Sequence, residues 1–365
     1  MSKETSAVLI IGAGIGGMKA AFELADAGRK VYLLDRSPAV GGTLTQLDKW
    51  FPDNHCGLCK IIPFLGRDLS SQFCLRREFS HPNIDILSYA ELLSVSGEVP
   101  DFQVTVNLFP RYVDMERCTG CGLCVQECPI EVADEFNEGL VTKKAISLKY
   151  PLPFPQLYTI DMTYCTKCGK CVDVCPTNAI TLDQTEEQKE LAVGTIILST
   201  GFEEFDPTPL THYGYGRFPN VVTSIEYERM LSSIGPFNGN LVRPSDGKTP
   251  EKIAFIQCVG SRDTERDYCS SACCMYSLKE ARLTKQAYPS SKPSIYYMDM
   301  RAFGKGYHRY YEDAKREGIE FVRCRVPTIR ENPLTKNLIL FFVDEQGNPQ
   351  REEFDVAVLS VGQRP

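Results

Sequence analysis

Residues 6–42 read "SAVLIIGAGIGGMKAAFELADAGRKVYLLDRSPAVGG", and this stretch decides the fold. An apolar run enters a turn in which Gly12, Gly14 and Gly17 follow the pattern G-x-G-x-x-G. A segment with apolar residues at helical spacing comes next, followed by a second apolar run that ends at Asp35. The order of strand, glycine turn, helix, strand and acid predicts a Rossmann-like dinucleotide-binding domain.

Each part of this motif has a physical role toward a dinucleotide. Gly12 permits the tight turn, Gly14 lets the backbone approach a pyrophosphate, and Gly17 allows close packing of helix and strand. The pyrophosphate is expected at the N-terminus of the helix near Ile15, where free N–H groups and the helix dipole favour anions. Asp35 stands at the distance expected for a carboxylate that accepts hydrogen bonds from ribose hydroxyls.

The choice of FAD as the dinucleotide comes from a resemblance. "LLDRSPAVGG" is similar to the segment of glutathione-reductase-type flavoproteins in which a second glycine pair follows the acid. "AVGTIILSTGFEEFDP" at 192–207 looks like a later strand of the same family, which ends in a Thr-Gly turn. The resemblance implies an FAD site formed by Gly12, Gly14, Gly17, Asp35, Arg36, Gly42, Thr200 and Gly201.

About 150 residues separate these two pieces of one domain, and the intervening sequence carries two ferredoxin motifs. "CTGCGLCVQECP" and "CTKCGKCVDVCP" both follow C-x₂-C-x₂-C-x₃-C-P. Three closely spaced thiolates hold one corner of a cluster, and the fourth belongs to the other cluster. The spacing predicts two [4Fe–4S] clusters, one held by Cys118, Cys121, Cys124 and Cys175, the other by Cys165, Cys168, Cys171 and Cys128. Zinc sites rarely show this rhythm ending in proline.

From Lys252 onward, apolar runs alternate with amphipathic segments, which predicts a second doubly wound domain. Its first strand, "KIAFI", is followed by "QCVGSRDTERDYCSSACC" at 257–274 and lacks a G-x-G-x-x-G turn. Direct binding of NAD(P)H is therefore not expected. Spacing alone leaves a third cluster, a zinc site or a redox thiol pair open for Cys258, Cys269, Cys273 and Cys274. Because adjacent cysteines do not easily both face a core, the Cys273–Cys274 pair argues against buried structural thiols.

The cysteine segment resembles that of the heterodisulfide reductase A-subunit (HdrA) family, in which these residues hold a [4Fe–4S] cluster. The order of flavin fold, inserted double ferredoxin and this segment is also similar. Related proteins occur in quinone-interacting oxidoreductase and benzoyl-CoA-reductase-type complexes. The resemblance implies a third cluster, an electron-transferring complex and a flavin that bifurcates or confurcates electrons.

A further C-x-x-C lies in "LDKWFPDNHCGLCKIIP" and consists of Cys56 and Cys59. One hypothesis is a redox dithiol that exchanges electrons with the flavin. The others are ligation of a further cluster, together with Cys74, and a structural pair under the flavin.

Composition narrows the class of protein. The chain has 365 residues, a net charge of −7 and no long basic run, which argues against nucleic acid and anionic membranes as partners. No apolar stretch approaches the roughly 18 residues of a membrane span. Sixteen cysteines in a large α/β chain favour metal ligation in a reducing cytoplasm over a disulfide scaffold.

The expected fold is α/β: a Rossmann-like FAD domain with an inserted α+β bacterial-type 2[4Fe–4S] ferredoxin domain, and a second, degenerate Rossmann-like domain. The expected boundaries are 1–107 and 189–250 for the FAD domain with a linker, 108–188 for the ferredoxin insert, and 251–365 for the second domain. Residues 208–250 are expected to be a linker with one short helix.

The function expected is electron transfer between FAD and [4Fe–4S] clusters in a heterodisulfide-reductase-like complex. Its partners would be the other subunits of that complex, together with ferredoxin or another redox protein. Two alternatives are a stand-alone NAD(P)H-dependent ferredoxin or disulfide oxidoreductase and a non-catalytic relay module without a working flavin. The relay is favoured by the end of the sequence at "VAVLSVGQRP", where the resemblance implies a return to the FAD domain. A fragment, or a flavin site completed by a partner, would explain that end.

Overall fold

A computed structural model of the chain describes residues 7–50, 55–56 and 81–364. Backbone contacts divide the chain into two compact units. The first comprises Met1–Gln46 and Cys56–Gly201, and the second comprises Leu47–His55 and Phe202–Pro365.

The first unit begins with the strand, helix and strand that the glycine motif predicts. Up to residue 108 the chain forms β1 (Val8–Ile11), α1 (Ile15–Asp26), β2 (Val31–Asp35), the two-residue strands β3 (Lys49–Trp50) and β4 (His55–Cys56), β5 (Ile84–Ser88), β6 (Ala90–Glu98) and β7 (Asp101–Leu108). Of these, β3 belongs to the Leu47–His55 segment of the second unit. The apolar stripe of α1 is buried, as helical periodicity requires. This stripe packs the helix against β1 and β2.

The ferredoxin insert follows β7 and is built from short elements. They are α2 (Leu123–Glu127), β8 (Glu131–Ala133), β9 (Thr142–Lys144), β10 (Ile146–Ser147), β11 (Thr159–Ile160) and α3 (Lys170–Asp173). Both helices start after a glycine in the left-handed region, Gly122 at φ 82° and Gly169 at φ 80°. Other residues rarely adopt this backbone conformation, so each glycine turns the cysteine loop into its helix.

The chain returns to the flavin domain through β12 (Glu187–Val193) and β13 (Thr195–Leu198). Strand β12 pairs antiparallel with β7, and Glu187 lies opposite Leu108. The two ends of the insert therefore lie on neighbouring strands of the antiparallel sheet β12-β7-β6. The insert leaves and re-enters the flavin domain at the same place, so this sheet is not interrupted. Strand β13 lies beside β1 in the parallel sheet β13-β1-β2-β5.

The second unit contains a parallel sheet carrying three helices. Its elements are β14 (Glu203–Glu204), β15 (Val221–Thr223), α4 (Ser224–Leu231), β16 (Lys252–Val259), α5 (Cys273–Ala287), β17 (Lys292–Tyr297), α6 (Tyr307–Arg316), β18 (Glu320–Arg323), β19 (Thr328–Glu331), β20 (Leu338–Val343), β21 (Pro349–Phe354), β22 (Val356–Val361) and β23 (Gln363–Arg364). The order β15-β22-β16-β17-β18 is parallel throughout. Strands β19, β20 and β21 form an antiparallel sheet.

One difference from the sequence analysis concerns residues 208–250. We expected a linker, but Val221–Thr223 forms strand β15 at the edge of the second sheet, paired with β22. A capping box follows, in which the Thr223 hydroxyl accepts from the Glu226 N–H and the Glu226 carboxylate accepts from the Thr223 N–H. The strand has only three residues, which is too short to show periodicity in a segment rich in glycine and proline.

Candidate functional site

The glycine turn between β1 and α1 is packed against the end of β13. A Cβ atom on Gly12, whose φ is +101°, would lie 2.1 Å from the Ser199 carbonyl oxygen. A Cβ on Gly17 would lie 1.8 Å from the Gly12 carbonyl oxygen. A Cβ on Gly14 would meet no atom within 4 Å. The first and third glycines are thus required by packing, whereas the second borders open space in which a pyrophosphate could approach the backbone.

Asp35 closes the turn through two hydrogen bonds. One carboxylate oxygen accepts from the Ala13 N–H at 2.6 Å and the other from the Ser37 N–H at 2.8 Å. Burial raises the pKa of Asp35, and these two backbone donors oppose the increase. The carboxylate therefore holds the glycine turn in place, and its remaining lone pairs are available for ribose hydroxyls. Arg36 is exposed, 3.9 Å from Glu91.

The remaining predicted flavin residues lie at the same edge of the first sheet. A Cβ on Gly42 would come within 3.1 Å of the Gly14 Cα atom. The Ser199 N–H donates to the Ile11 carbonyl at 2.7 Å, which places Thr200 and Gly201 directly beyond the glycine turn. The structure thus brings the residues of the predicted FAD site to the carboxyl ends of adjacent parallel strands, where nucleotides bind in such sheets.

The eight ferredoxin cysteines line two separate cavities. The first contains Cys118, Cys121, Cys124 and Cys175, and the second contains Cys128, Cys165, Cys168 and Cys171. Each cavity combines three cysteines of one motif with the fourth of the other, the arrangement expected of a two-cluster ferredoxin. In the described parts of the chain, no three His, Cys, Asp or Glu side chains converge on a single metal ion. A four-iron cluster does not need such convergence, because each of its four irons binds only one cysteine thiolate.

Backbone donors reach some of these sulfur atoms. Cys175 Sγ accepts from the Ala179 N–H at 3.3 Å, and Cys165 Sγ accepts from the Lys167 N–H at 3.4 Å. Hydrogen bonds of this kind help to set the reduction potential of a bound cluster. The aromatic ring of Tyr158, which sequence analysis did not single out, also lines the first cavity.

Arg111 joins the ferredoxin insert to the flavin domain. Its guanidinium is buried and donates to the Pro38 carbonyl at 2.8 Å, to the Ser88 carbonyl and hydroxyl at 3.2 and 2.8 Å, and to the Thr159 hydroxyl at 3.2 Å. Burial lowers the pKa of Arg111 to about 10. Nothing in the local sequence marks this residue, because its partners lie up to 73 positions away.

The third group of cysteines surrounds the start of α5 in the second unit. Cys258 lies near the end of β16 at an irregularity in the pairing with β22, with a left-handed φ of 61°. Cys273 and Cys274 are the first two residues of α5, and Cys269 lies in the preceding loop. Non-glycine residues in this backbone region are strained and occur often at functional sites.

Burial of the adjacent pair contradicts one sequence argument. Cys273 and Cys274 are 6% and 7% exposed, so both face the protein interior. The Cys273 thiol lies 3.4 Å from the Val361 carbonyl, and that of Cys274 lies 3.9 Å from the Asp299 carbonyl. Burial raises the pKa of Cys273 to about 11 and that of Cys274 to about 12. A helix N-terminus would lower the pKa of a thiol, so in the absence of metal the cost of desolvation is the larger effect. A bound metal would supply the charge that stabilises their thiolate forms.

No glycine-rich turn follows β16. The acid at the end of the next strand, where a nicotinamide domain binds ribose hydroxyls, is already paired. Asp299, which follows β17, forms ion pairs with Arg262 and Arg301. A carboxylate held by two guanidinium groups is a poor acceptor for ribose hydroxyls.

The predicted C-x-x-C site falls mostly outside the described residues. Cys56 lies in β4, whereas Cys59 and Cys74 lie outside the described residues. Cys324, which is not part of any predicted site, packs at the edge of the second unit's apolar core, and burial raises its pKa to about 12. The described part of the chain contains no helix that is both long and apolar enough to cross a membrane.

Three family models match the chain. Residues 7–71 match "FAD dependent oxidoreductase", residues 117–180 match "4Fe-4S dicluster domain", and residues 164–213 match "4Fe-4S double cluster binding domain". The solved structure of Lactococcus lactis thioredoxin reductase aligns with a TM-score of 0.46 and 13% identity, over 99% of this chain and 78% of that one.

Curated relatives match almost every residue. The second iron–sulfur A-subunit of CoB–CoM heterodisulfide reductase from Methanopyrus kandleri is 50% identical over 99% of this chain and 54% of its own length. The corresponding iron–sulfur A-subunit of Methanocaldococcus jannaschii is 46% identical over 98% and 53%. The A-subunit of H₂:CoB–CoM heterodisulfide,ferredoxin reductase from Methanothermobacter marburgensis is 42% identical over 98% and 53%.

The chain thus spans about half the length of these relatives. Its FAD-type and 4Fe–4S-type domains follow the order that the sequence motifs predict. The chain belongs to the family of heterodisulfide reductase iron–sulfur A-subunits, HdrA.

Proposed function

We propose that this chain carries electrons between FAD and [4Fe–4S] clusters within a heterodisulfide-reductase-type complex. The observation that carries the proposal is the pair of cysteine cavities in the same compact unit as the glycine turn. FAD accepts electrons in pairs and releases them singly, and clusters carry them one at a time. A unit that holds both kinds of group can connect two-electron with one-electron partners.

The chain's own residues position these groups. The glycine turn and the N-terminus of α1 would hold the FAD pyrophosphate, while Asp35 fixes the turn through the Ala13 N–H. The two cavities would hold the ferredoxin-type clusters with the ligand sets described above. Arg111 ties the insert to the flavin domain through hydrogen bonds to Pro38 and Ser88, which would help to hold the clusters in place relative to the flavin.

We assign a third [4Fe–4S] cluster to the cysteines around α5. The support is the position of Cys258 near the end of β16, the electrostatic interaction of Cys274 with the other three cysteines, and the high identity to curated iron–sulfur subunits. Electrons would then enter or leave this unit through a redox protein such as a ferredoxin, or through other subunits of the complex. The thirteen free cysteines among the described residues favour a reducing compartment, and we place the protein in the cytoplasm on that basis.

The test is iron and flavin analysis of anaerobically purified protein. Three clusters correspond to about twelve irons per chain, together with one FAD. Cys273→Ala should remove about four irons and leave the ferredoxin pair intact. Cys324→Ala is the matched control, a partly buried thiol outside the ligand sets that should leave iron unchanged. Unchanged iron in Cys273→Ala would refute the third cluster.

A stand-alone NAD(P)H-dependent oxidoreductase is the alternative. The missing glycine turn after β16 and the paired Asp299 oppose it. Bleaching of the flavin by NADH or NADPH without any partner protein would support the alternative over our proposal. A relay without a working flavin would instead show full iron with far less than one FAD per chain.

A further inference from the structure

Three charged side chains are buried together between α4 and α5. Glu228, Lys279 and Glu280 are 1%, 2% and 2% exposed. The Lys279 ammonium lies 2.8 Å from a Glu228 carboxylate oxygen. One oxygen of Glu280 is buried with no hydrogen-bond partner in the described structure. The Lys279 ammonium is therefore paired with Glu228, and one oxygen of Glu280 lacks a hydrogen-bond partner among the described residues.

This arrangement favours the protonated form of Glu280. The Glu228–Lys279 pair is electrically neutral, so an ionised Glu280 would leave one uncompensated negative charge in the protein interior. Burial, followed by repulsion from Glu228, raises the pKa of Glu280 well above its ordinary value, and Lys279 opposes the increase. Such a group sits where a modest change in the local field can move its proton.

Two cysteines of the third group, Cys273 and Cys274, begin the same helix, and Cys273 lies on the face that carries Glu280. Glu280 is seven residues after Cys273, which corresponds to two turns and about 10 Å along the helix axis. Tyr276 lies between them, and its hydroxyl donates to the Val361 carbonyl at 2.5 Å, the same oxygen that the Cys273 thiol approaches. The Val361 carbonyl thus joins Tyr276 to the cysteine end of α5, one helical turn before Glu280.

We propose that the carboxyl group of Glu280 binds one proton when the third cluster gains one electron. The inference rests on the proposed third cluster and goes beyond it by assigning a proton site to the electron-transfer step. The electron comes from a low-potential one-electron donor, and the proton comes from solvent. The added negative charge on the cluster is then balanced by conversion of the Glu280 carboxylate to the neutral acid.

The other ionisable groups around Glu280 reinforce the direction of the effect. Helix α4 contributes Glu228 and Tyr227, β14 contributes Glu204, and α5 itself contributes Tyr276 and Lys279. Helix α4 also carries the buried Arg229, whose guanidinium donates to the Ile234 carbonyl. Among the strands under α5, β22 carries no ionisable side chain. Strand β16 carries only Lys252 and Cys258, and β17 carries Lys292 and two tyrosines. Helix α6 meets α5 through Arg282, which is paired with Glu317. Lys279 is the cation whose attraction opposes proton binding to Glu280, and it already contacts Glu228.

The order of magnitude of the coupling follows from the rise of about 10 Å along α5 between Cys273 and Glu280. One unit charge about 10 Å away, at an effective dielectric constant of about 20, changes the proton affinity of a carboxylate on the order of tenfold. The pKa of Glu280 is therefore higher when the cluster is reduced. Because burial already raises the pKa of Glu280 with the cluster oxidised, the window for proton uptake begins well above the ordinary range of a carboxyl group. Below this window Glu280 is protonated in both redox states and the midpoint potential does not vary with pH. Between the two pKa values reduction takes up a proton, so the midpoint potential falls as pH rises through the window. A tenfold change in affinity corresponds to a total fall of about 59 mV for a one-electron couple.

The test is a redox titration, with dithionite as the reductant, followed by electron paramagnetic resonance over a series of pH values. The third-cluster signal is identified as the one that Cys273→Ala removes. In the wild-type protein its midpoint should fall with rising pH, by a total of about 59 mV for tenfold coupling. In Glu280→Gln the fall should disappear while the signal remains, and Glu280→Asp should restore it. Glu312→Gln, which removes an exposed carboxylate on α6, should behave as wild type.

The outcomes separate the two proposals. A third-cluster midpoint that does not vary with pH in the wild type would overturn the proton site and leave the cluster standing, whether or not Glu280→Gln folds. The same pH dependence in Glu280→Gln as in the wild type would also overturn it. Absence of any signal that depends on Cys273 would overturn the third cluster and, with it, the proton site.

Discussion

Gly14 offers a prediction in which flavin binding separates from folding. Its backbone has φ −74° and ψ −172°, an extended conformation that any residue adopts. A Cβ atom at this position would meet no protein atom within 4 Å. Gly14→Ala should therefore leave the flavin-free protein folded and stabilise it by about 0.4–1 kcal/mol, because alanine restricts the unfolded chain. The same methyl group would stand where the pyrophosphate must approach the turn.

The cost to binding can be bounded. Overpacking by one methyl group typically costs about 1–3 kcal/mol, so the FAD dissociation constant should rise roughly 5- to 150-fold. Gly17→Ala is the contrasting variant because its Cβ would lie 1.8 Å from the Gly12 carbonyl oxygen. That contact involves backbone on both sides, so Gly17→Ala should lose more than about 3 kcal/mol of folding free energy.

The assay combines urea unfolding of flavin-free protein with titration of FAD against each variant. We expect Gly14→Ala to unfold at or above the wild-type urea midpoint and to bind FAD weakly. Wild-type FAD affinity in Gly14→Ala would refute the pyrophosphate position. Destabilisation of Gly14→Ala to the level of Gly17→Ala would refute the argument that its side-chain position faces open space.

Three further variants test contacts that hold the fold. Arg111→Leu should cost about 2–4 kcal/mol in urea unfolding, since it removes charge-assisted hydrogen bonds to buried carbonyl groups; an effect below about 1 kcal/mol would contradict this role. Lys279→Met should cost about 3–5 kcal/mol because it leaves Glu228 buried without its cation, and adding Glu228→Gln should restore much of the loss; no recovery in the double variant would count against the pair. Thr223→Ala should cost about 1 kcal/mol through loss of the α4 cap, measured as a lower melting temperature; an unchanged melting temperature would show that the cap adds nothing.

The burial of Cys273 and Cys274 shows where a local argument from sequence is wrong. Adjacent residues on a helix differ by about 100° in direction, which suggests that only one of them faces a core. At the start of α5, however, the helix end packs against β22 on one side and the loop after β17 on the other. Both directions are therefore interior, and only the arrangement of the neighbouring strands makes them so.

By itself, the sequence determined the features that depend on a few neighbouring residues. The glycine turn, the two C-x₂-C-x₂-C-x₃-C-P motifs and the alternation of strands and helices are local because short loops permit only a few backbone geometries. The tertiary structure decided the features that join distant segments. These are the pairing of β7 with β12, the position of β15 in the second sheet, the Arg111 contacts and the buried group around Glu280. Such contacts depend on which distant apolar surfaces pack together and exclude water. The spacing of residues along the chain does not reveal which surfaces these are.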